Sequence, residues 1–553
     1  MTVSSLNLFR TAVVALCALT PVVARAQAGI QVSPPRPILA TSQAPSQPDI
    51  AQALEHGSQL EQQRRWAEAL QHYEEALKAH PERTELKQRL SMVRAHYDVA
   101  RRYADVTYTK ALTTLTEVEA LAIYEEVLLK VSAHYVHQPK WHDLLRQGTV
   151  NFDAALTEPI FVTSNRVNLS AEQLNQLHRD IRFWTDRQAI DDRRQAKELV
   201  EAIAHTVKKR YAIAPQAVIL EYACGAAAAL DEYSSFLTDS QMDEIFAQIE
   251  GNFVGLGVEL KTEPAGLLVV NVINGGPADQ GGIRSGDRIV QVDSTTSEQA
   301  SPDQLADLLR GAEGSQVTVM LKDSRGELRT LKLIRRRVEV PSVEHVKMID
   351  PQTGVGYFKL TSFQKTTPRD VDAALWKLHE QGMKSLVIDL RGNPGGLLKA
   401  AVDVADKFVN EGLIVATRGR SPREDFDHKG QVAGTWRMPL VILIDHDSAS
   451  ASEILAGAVR DHRRGTVVGE TSYGKGSVQG IFPLAVSRTG IRLTTAKWYT
   501  PSGQAISGQG IAPDIAVRQT AKPVDGQFTD PNAPDAILNM GLQTARNLTT
   551  ANK

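Results

Sequence analysis

Cysteine is nearly absent from this sequence: there are two in 553 residues, Cys17 and Cys224. Cys17 falls in a leader-like run, so the body of the chain keeps one thiol and no intramolecular disulfide is expected. An excess of either charge is also missing. The 62 Lys and Arg face 64 Asp and Glu, a formal net charge of −2, which is no footprint of a nucleic-acid partner. Past the leader there is no apolar run long enough to span a bilayer, so no integral membrane segment is expected after its removal. A nucleotide-binding glycine loop and a metal-ligand cluster are absent too. His134, His137 and His142 are close in sequence but lack a second ligand set and read as surface residues. No cofactor and no metal are expected.

What is present begins with length. A chain of 553 residues exceeds a single core and implies several domains. Residues 1–26 carry Arg10, the apolar run TAVVALCALTPVV and the small-x-small site Ala24-Arg25-Ala26, the layout of a secretory signal. Leu16 before Cys17 argues against a lipoprotein site. An exported protein is expected, periplasmic or extracellular, or peripheral to a membrane.

Residues 27–48 are rich in Pro, Ser, Gln and Ala and read as a linker. In 49–130, Gly57, Trp66, Ala69, Tyr73, Ala76 and Pro81 fall at tetratricopeptide positions. EALQHYEEAL (68–77) recurs as EALAIYEEVL (119–128), at an offset of 51 that no clean 34-residue array would give. An amphipathic helical hairpin packed on the next domain is an equal reading. Recruitment of an adaptor or self-association is expected of this region, because such helices bury a face only against neighbours. Residues 131–245 stay helical by periodicity. Within them, 134–156 looks like a diverged copy of 210–230. Short strands and turn pairs occupy 246–340. Over 341–520 helices and strands alternate, and 521–553 read as a C-terminal tail.

Two strand–loop–helix units stand out: KSLVIDL, RGNPGG and LLKAAVDVADKFV, then PLVILI, DHDSAS and ASEILAGAV. Units of one pattern suggest a parallel sheet, with both loops on the edge where sites form. The second loop places Ser448, Ser450 and Ser452 just before a helix. Helix capping accounts for some of them, since Ser450 and Glu453 fit the S-x-x-E capping box. A nucleophile is the sharper alternative, and it needs a base. His446 lies near Ser450, and Lys475 lies 25 residues on in a Gly474-Lys475-Gly476 loop. A lysine with a pKa of about 10.4 must be held in apolar surroundings to act near neutrality. The N–H of Ala451 at the helix start, with Gly395 and Gly396, could serve a developing oxyanion.

LDEYSSFLT, VGLGV, DLRGNPGGLLKAAV, SASASEILAGAVRD, GKGSVQ and LTTAKWYTPSGQAISGQGIAPDI, in that order over about 225–520, resemble the C-terminal processing peptidases. These are serine endopeptidases with a PDZ domain and a Ser-Lys dyad. The resemblance implies a multidomain α+β fold: an N-terminal helical, partly tetratricopeptide-like region, a PDZ domain, and an α/β peptidase core of the ClpP/crotonase-like type. It implies Ser450 as nucleophile, Lys475 as general base and Gln479 as the residue that orients it. Ala451 and a glycine of Gly395-Gly396 would form the oxyanion hole, and Asp461 would be structural. Asp445 and Asp447 depart from the Asn and Gly common in the family. Gly255, Leu256, Gly257 and Val258 would form the loop that takes a chain-terminal carboxylate, with Leu305 and Leu308 or Leu309 facing an apolar tail. The expected partners are protein substrates with exposed, apolar C-termini. The competing expectation is a scaffold that binds chain ends without cutting.

Overall fold

The computed structural model describes residues 14–17, 50–263, 266–299, 302–431, 436–518, 523–524, 527–528 and 535–551. The leader-like run and the linker after it lie outside these residues, apart from Val14–Cys17. That short strand pairs antiparallel with Gly396–Leu397 and with Ser477–Pro483.

Among the described residues the chain then forms ten helices in succession, from Ile50–Gln62 to Pro215–Ala228. The first two, Ile50–Gln62 and Trp66–Ala79, fold as a hairpin, and its small residues explain the close packing. A Cβ on Gly57 would lie 2.2 Å from the Tyr73 ring, and Ala69, Tyr73 and Ala76 are buried.

The suspected duplication has a physical counterpart. Glu117–His134 and Trp141–Thr157 form one helix pair, and Arg193–Tyr211 and Pro215–Ala228 form another. Their second helices touch where both sequences carry glycine: a Cβ on Gly225 would lie 2.4 Å from the Cα of Gly148. The helical region is fused to the C-terminal α/β part rather than separate from it, because Phe482, Leu484, Ile491 and Leu493 of that part share its hydrophobic core. His134, expected at the surface, stacks on Phe482 with centroids 4.4 Å apart, because its helix ends against that ring.

Strands Val258–Glu263, Gly266–Val272, Arg288–Val292, Gln316–Lys322 and Leu328–Ile334 make a separate antiparallel sheet. The helix Pro302–Leu309 packs against it. The strand Asn252–Gly255 lies outside this sheet and pairs with Arg336–Glu339, closing the base of the unit.

The last part carries the parallel sheet expected from the repeated strand–loop–helix pattern. Val355–Leu360, Ser385–Asp389, Leu440–Ile444 and Thr466–Gly469 run parallel, with Val343–Asp350 antiparallel at one edge. The central strands are buried on both faces, so their apolar runs are continuous rather than alternating. A second, antiparallel sheet of Ser477–Pro483, Gly490–Tyr499, Leu413–Gly419 and Phe426–Lys429 was not foreseen. Nor is the end of the chain a simple tail. The helix Ala536–Ala551 covers the parallel sheet, with Ile537 and Ala545 buried among Val387, Val441 and Val468. Arg391 and Arg546 pin it through Asp535 (2.8 Å) and Asp350 (2.6 Å).

Candidate active site

Strands Ser385–Asp389 and Leu440–Ile444 are neighbours, and the loops at their carboxyl ends are laced together. The Ala449 N–H donates to Asn393 O at 3.0 Å, and Ser452 Oγ donates to the same oxygen at 3.0 Å. Ser448 Oγ donates to Leu390 O at 2.9 Å. The Gly392 N–H donates to the Asp445 carboxylate at 3.0 Å, which also takes the N–H groups of Asp447 and Ser448. Asn393, fully buried, donates to Leu360 O at 2.7 Å and accepts from the Gly395 N–H at 2.9 Å. Ser448, Ser452 and Asp445 therefore shape the turn.

Ser450 stands at the head of the helix Ala451–Asp461 with φ 58° and ψ −111°. A non-glycine residue held at positive φ carries strain on the order of 1–3 kcal/mol, which the surrounding structure must hold in place. The buried Oγ has no hydrogen-bond partner among the described residues. Gly395 lies against it. A Cβ there would come within 2.9 Å of both Ser450 Cβ and Ala451 N, so no side chain fits at 395. The Gly395 N–H is engaged by Asn393, and Gly396 and Ala451 follow Gly395 and Ser450 in their two loops. Gly396 is at φ +142°, with Phe363 O only 2.1 Å from where a Cβ would sit.

One carboxylate joins this loop to the lysine loop. Glu453 is completely buried and accepts four hydrogen bonds. They come from Ser450 N–H (2.6 Å), Ser472 Oγ (2.6 Å), Gly474 N–H (2.7 Å) and Lys475 N–H (3.0 Å). Burial pushes its carboxyl above the usual range, against the downward pull of those donors. The capping box explains the first bond alone; the other three cross 19 to 22 residues. The Lys475 carbonyl accepts from Trp498 Nε1 at 2.9 Å, so its backbone is tied at both ends. Its side chain is buried, with Nζ 3.9 Å from the centroid of the Tyr233 ring. Gln479, on the following strand, is fully buried and donates to Ser477 Oγ at 2.9 Å.

His446 is placed differently. It is half exposed and faces Asp447 (3.2 Å) and Glu470 (3.6 Å). Asp461 accepts from the Ser502 N–H at 3.0 Å, which is a fold-holding contact. In the separate antiparallel unit, the carbonyls of Leu256 and Gly257 accept from Ala278 and Ile273 N–H groups. Gly257 takes φ +78° there, and Gly255 and Val258 flank the turn. Leu305 needs correction as a groove residue. It is 0% exposed and packs within this unit's core with Leu256 and Leu267. Leu309 is also buried, while Leu308 on the same helix is 38% exposed and takes the outward position.

Sequence reasoning missed Asn393, Tyr233 and the reach of Glu453. The S-x-x-E spacing was the one local signal for Glu453. Nothing local announces a contact between Tyr233 and Lys475, 242 positions apart.

A family model described as Peptidase family S41 matches residues 354–517, and one for the PDZ domain matches 268–322. The carboxy-terminal-processing protease of Bartonella bacilliformis is 38% identical over 327 residues, covering 57% of this chain and 74% of that protein. The chloroplastic carboxyl-terminal-processing peptidase 2 of Arabidopsis thaliana is 34% identical over 333 residues, covering 57% of this chain and 64% of that one. A solved photosystem II D1 C-terminal processing protease aligns with 77% of this chain and 96% of its own at 24% identity, with a TM-score of 0.38.

Proposed function

This chain belongs to the carboxy-terminal-processing protease family and is a serine-type peptidase, and on that premise we propose that it cuts with a Ser450–Lys475 dyad after its PDZ domain takes the substrate's C-terminus. The observation that carries the dyad is the Glu453 carboxylate, which holds the backbone of both residues in one buried cluster.

In this reading Ser450 Oγ attacks the scissile carbonyl carbon while Lys475 Nζ, neutral at that moment, takes the hydroxyl proton. The carbonyl oxygen becomes an oxyanion facing the N–H groups of Gly396 and Ala451 at the positive end of a helix. The C–N bond breaks as Nζ returns the proton to the leaving nitrogen, and an acyl-Ser450 remains. Water then attacks the acyl carbon with Lys475 again accepting the proton, which releases the acid and restores Oγ–H. Gln479 orients Lys475 from the next strand. The substrate lies extended beside Ser477–Pro483, the place where Val14–Cys17 pairs.

The PDZ turn at Gly255–Val258 binds the terminal carboxylate through backbone N–H groups, and Leu308 meets an apolar last residue. The leader directs the chain across the membrane, and the N-terminal helical hairpin recruits an adaptor or a second copy.

The test uses one disordered substrate with a free apolar C-terminus, the same chain amidated, and the same chain ending in two aspartates. The first is expected to be cut at least about tenfold faster at low concentration, given about 1.5–3 kcal/mol per charge-assisted bond. Ser450→Ala should cut none of them. Equal rates for all three would remove end recognition, and cleavage by Ser450→Ala would remove the nucleophile.

A further inference from the structure

Tyr233 lies outside the residues just assigned, and it does not come from the peptidase core. It sits in the segment that leads from the helical region to the PDZ domain, just before the short strand Ser235–Leu237. Yet its ring is what the Lys475 side chain meets, with Nζ 3.9 Å from the ring centroid. The segment is anchored on every side. Asp231 accepts from the N–H groups of Tyr233 (3.0 Å) and Ser234 (2.8 Å). Arg492 Nε donates to Tyr233 O at 2.8 Å, and the Thr494 N–H donates to Ser234 Oγ at 3.3 Å. Ser235–Leu237 then pairs with Gly490–Arg492. The ring is therefore a fixed platform. The Lys475 backbone is also tied at both ends, so its side-chain torsions remain to be set, and the ring face bounds them on one side.

We propose that Tyr233 is a positioning residue for Lys475: its ring face holds the ammonium in the resting site and releases the amine toward Ser450. This rests on the dyad reading above. A ring face attracts an ammonium and not a neutral amine, so the contact stabilises the charged lysine and loosens on deprotonation. Burial pushes the Tyr233 phenol far above its ordinary value, so the ring stays neutral throughout the working range. The charged and titratable groups around the pair include Asp231 and Arg492, which hold the Tyr233 backbone, Glu232 and Tyr473 beside Tyr233, Glu74 of the helical hairpin, which faces Tyr473, and Glu453 beneath the backbone of Gly474 and Lys475.

The test measures kcat and KM against pH for the full-length protein and for Tyr233→Phe, Tyr233→Leu, Tyr233→Trp and Lys475→Ala on one disordered substrate. Leu keeps apolar cover over Lys475 and removes the ring. In Tyr233→Leu the rising limb of kcat should move to lower pH by roughly one unit, since a desolvated cation–π contact is of the size of about one pKa unit. Its plateau kcat should fall about fivefold or more with KM unchanged, the mark of lost positioning rather than lost binding. Tyr233→Phe should restore both. Should Tyr233→Leu melt early, Tyr233→Trp carries the test: its stronger face should move the limb upward. Cleavage by Lys475→Ala at the wild-type rate would remove the dyad and this inference with it. Loss of cleavage there, with the limb unmoved in Tyr233→Leu and Tyr233→Trp, would overturn the inference alone.

Discussion

Glu221 in the helical region and Glu453 in the peptidase core are both fully buried carboxylates, and burial pushes both above the ordinary carboxyl range. They are compensated differently. Glu221 faces the Arg102 guanidinium, which reaches it from the helix Thr84–Ala104. Glu453 faces three backbone N–H groups and one hydroxyl, drawn from two loops. An ion pair joins two helices but is loosely directional, and an apolar pair of similar volume can often replace it. Backbone donors converging on one carboxylate fix the loops that carry them to within a fraction of an ångström. The first arrangement serves packing; the second fixes two loops far apart in sequence against each other, as the proposed dyad requires.

Neutral substitutions should separate the two. In Glu453→Gln one acceptor oxygen becomes an NH₂ group facing N–H donors, and both loops lose their common anchor. Cleavage should drop by roughly 10³-fold or more, because misplacement by about 1 Å alone can cost 10²-fold. Initial rates on a disordered substrate measure it, and retention of a tenth of the activity would show that the clamp does not hold the dyad. The next effect in size is Gly395→Ala. Its methyl would press on Ser450 and on the Ala451 N–H at 2.9 Å, and kcat should fall on the order of 10²-fold with KM little changed.

Glu221→Gln should act on stability instead. Leaving Arg102 buried and unpaired should cost about 3–5 kcal/mol in denaturant unfolding of the helical region. The specific activity of the folded fraction should stay within twofold. The double variant Arg102→Met, Glu221→Met should recover most of that stability, and failure to recover would mean that the ion pair itself specifies the helix packing. The smallest effect concerns pH. A carboxyl whose folded pKa is raised contributes stability that is complete below the unfolded value, about 4.5, and is lost as pH rises through the folded value. The stability lead of the wild type over Glu453→Gln should therefore narrow as pH rises above about 4.5. A lead that widens over that range would mean the four donors outweigh burial.

The sequence carried the parts of this arrangement that are local. Strand–loop–helix units announce a parallel sheet because apolar runs, glycine turns and helix periodicity are each written in neighbouring residues. The motif around Ser450 and the Gly474-Lys475-Gly476 loop were legible for that reason. The helix Ala536–Ala551 was missed because its buried face is narrow, and only the sheet beneath it makes that face a core. Leu305 was placed in a groove because an amphipathic helix shows which residues are apolar, not which of two apolar neighbours points inward. Gly148 and Gly225 lie in a recognisable repeat, but their contact needs both helices in place. Glu453 is the sharpest case: its spacing to Ser450 is a local signal, while its bonds to Ser472, Gly474 and Lys475 exist only once two loops meet.

The central claim is that Lys475, and not His446, activates Ser450. Its most direct measurement is covalent labelling by a serine-directed fluorophosphonate, with the modified residue located by peptide mass spectrometry, in the wild type, Lys475→Ala and His446→Ala. The account predicts one label per chain on Ser450 in the wild type and in His446→Ala, and none in Lys475→Ala over the same time. Labelling that survives in Lys475→Ala but disappears in His446→Ala would contradict it.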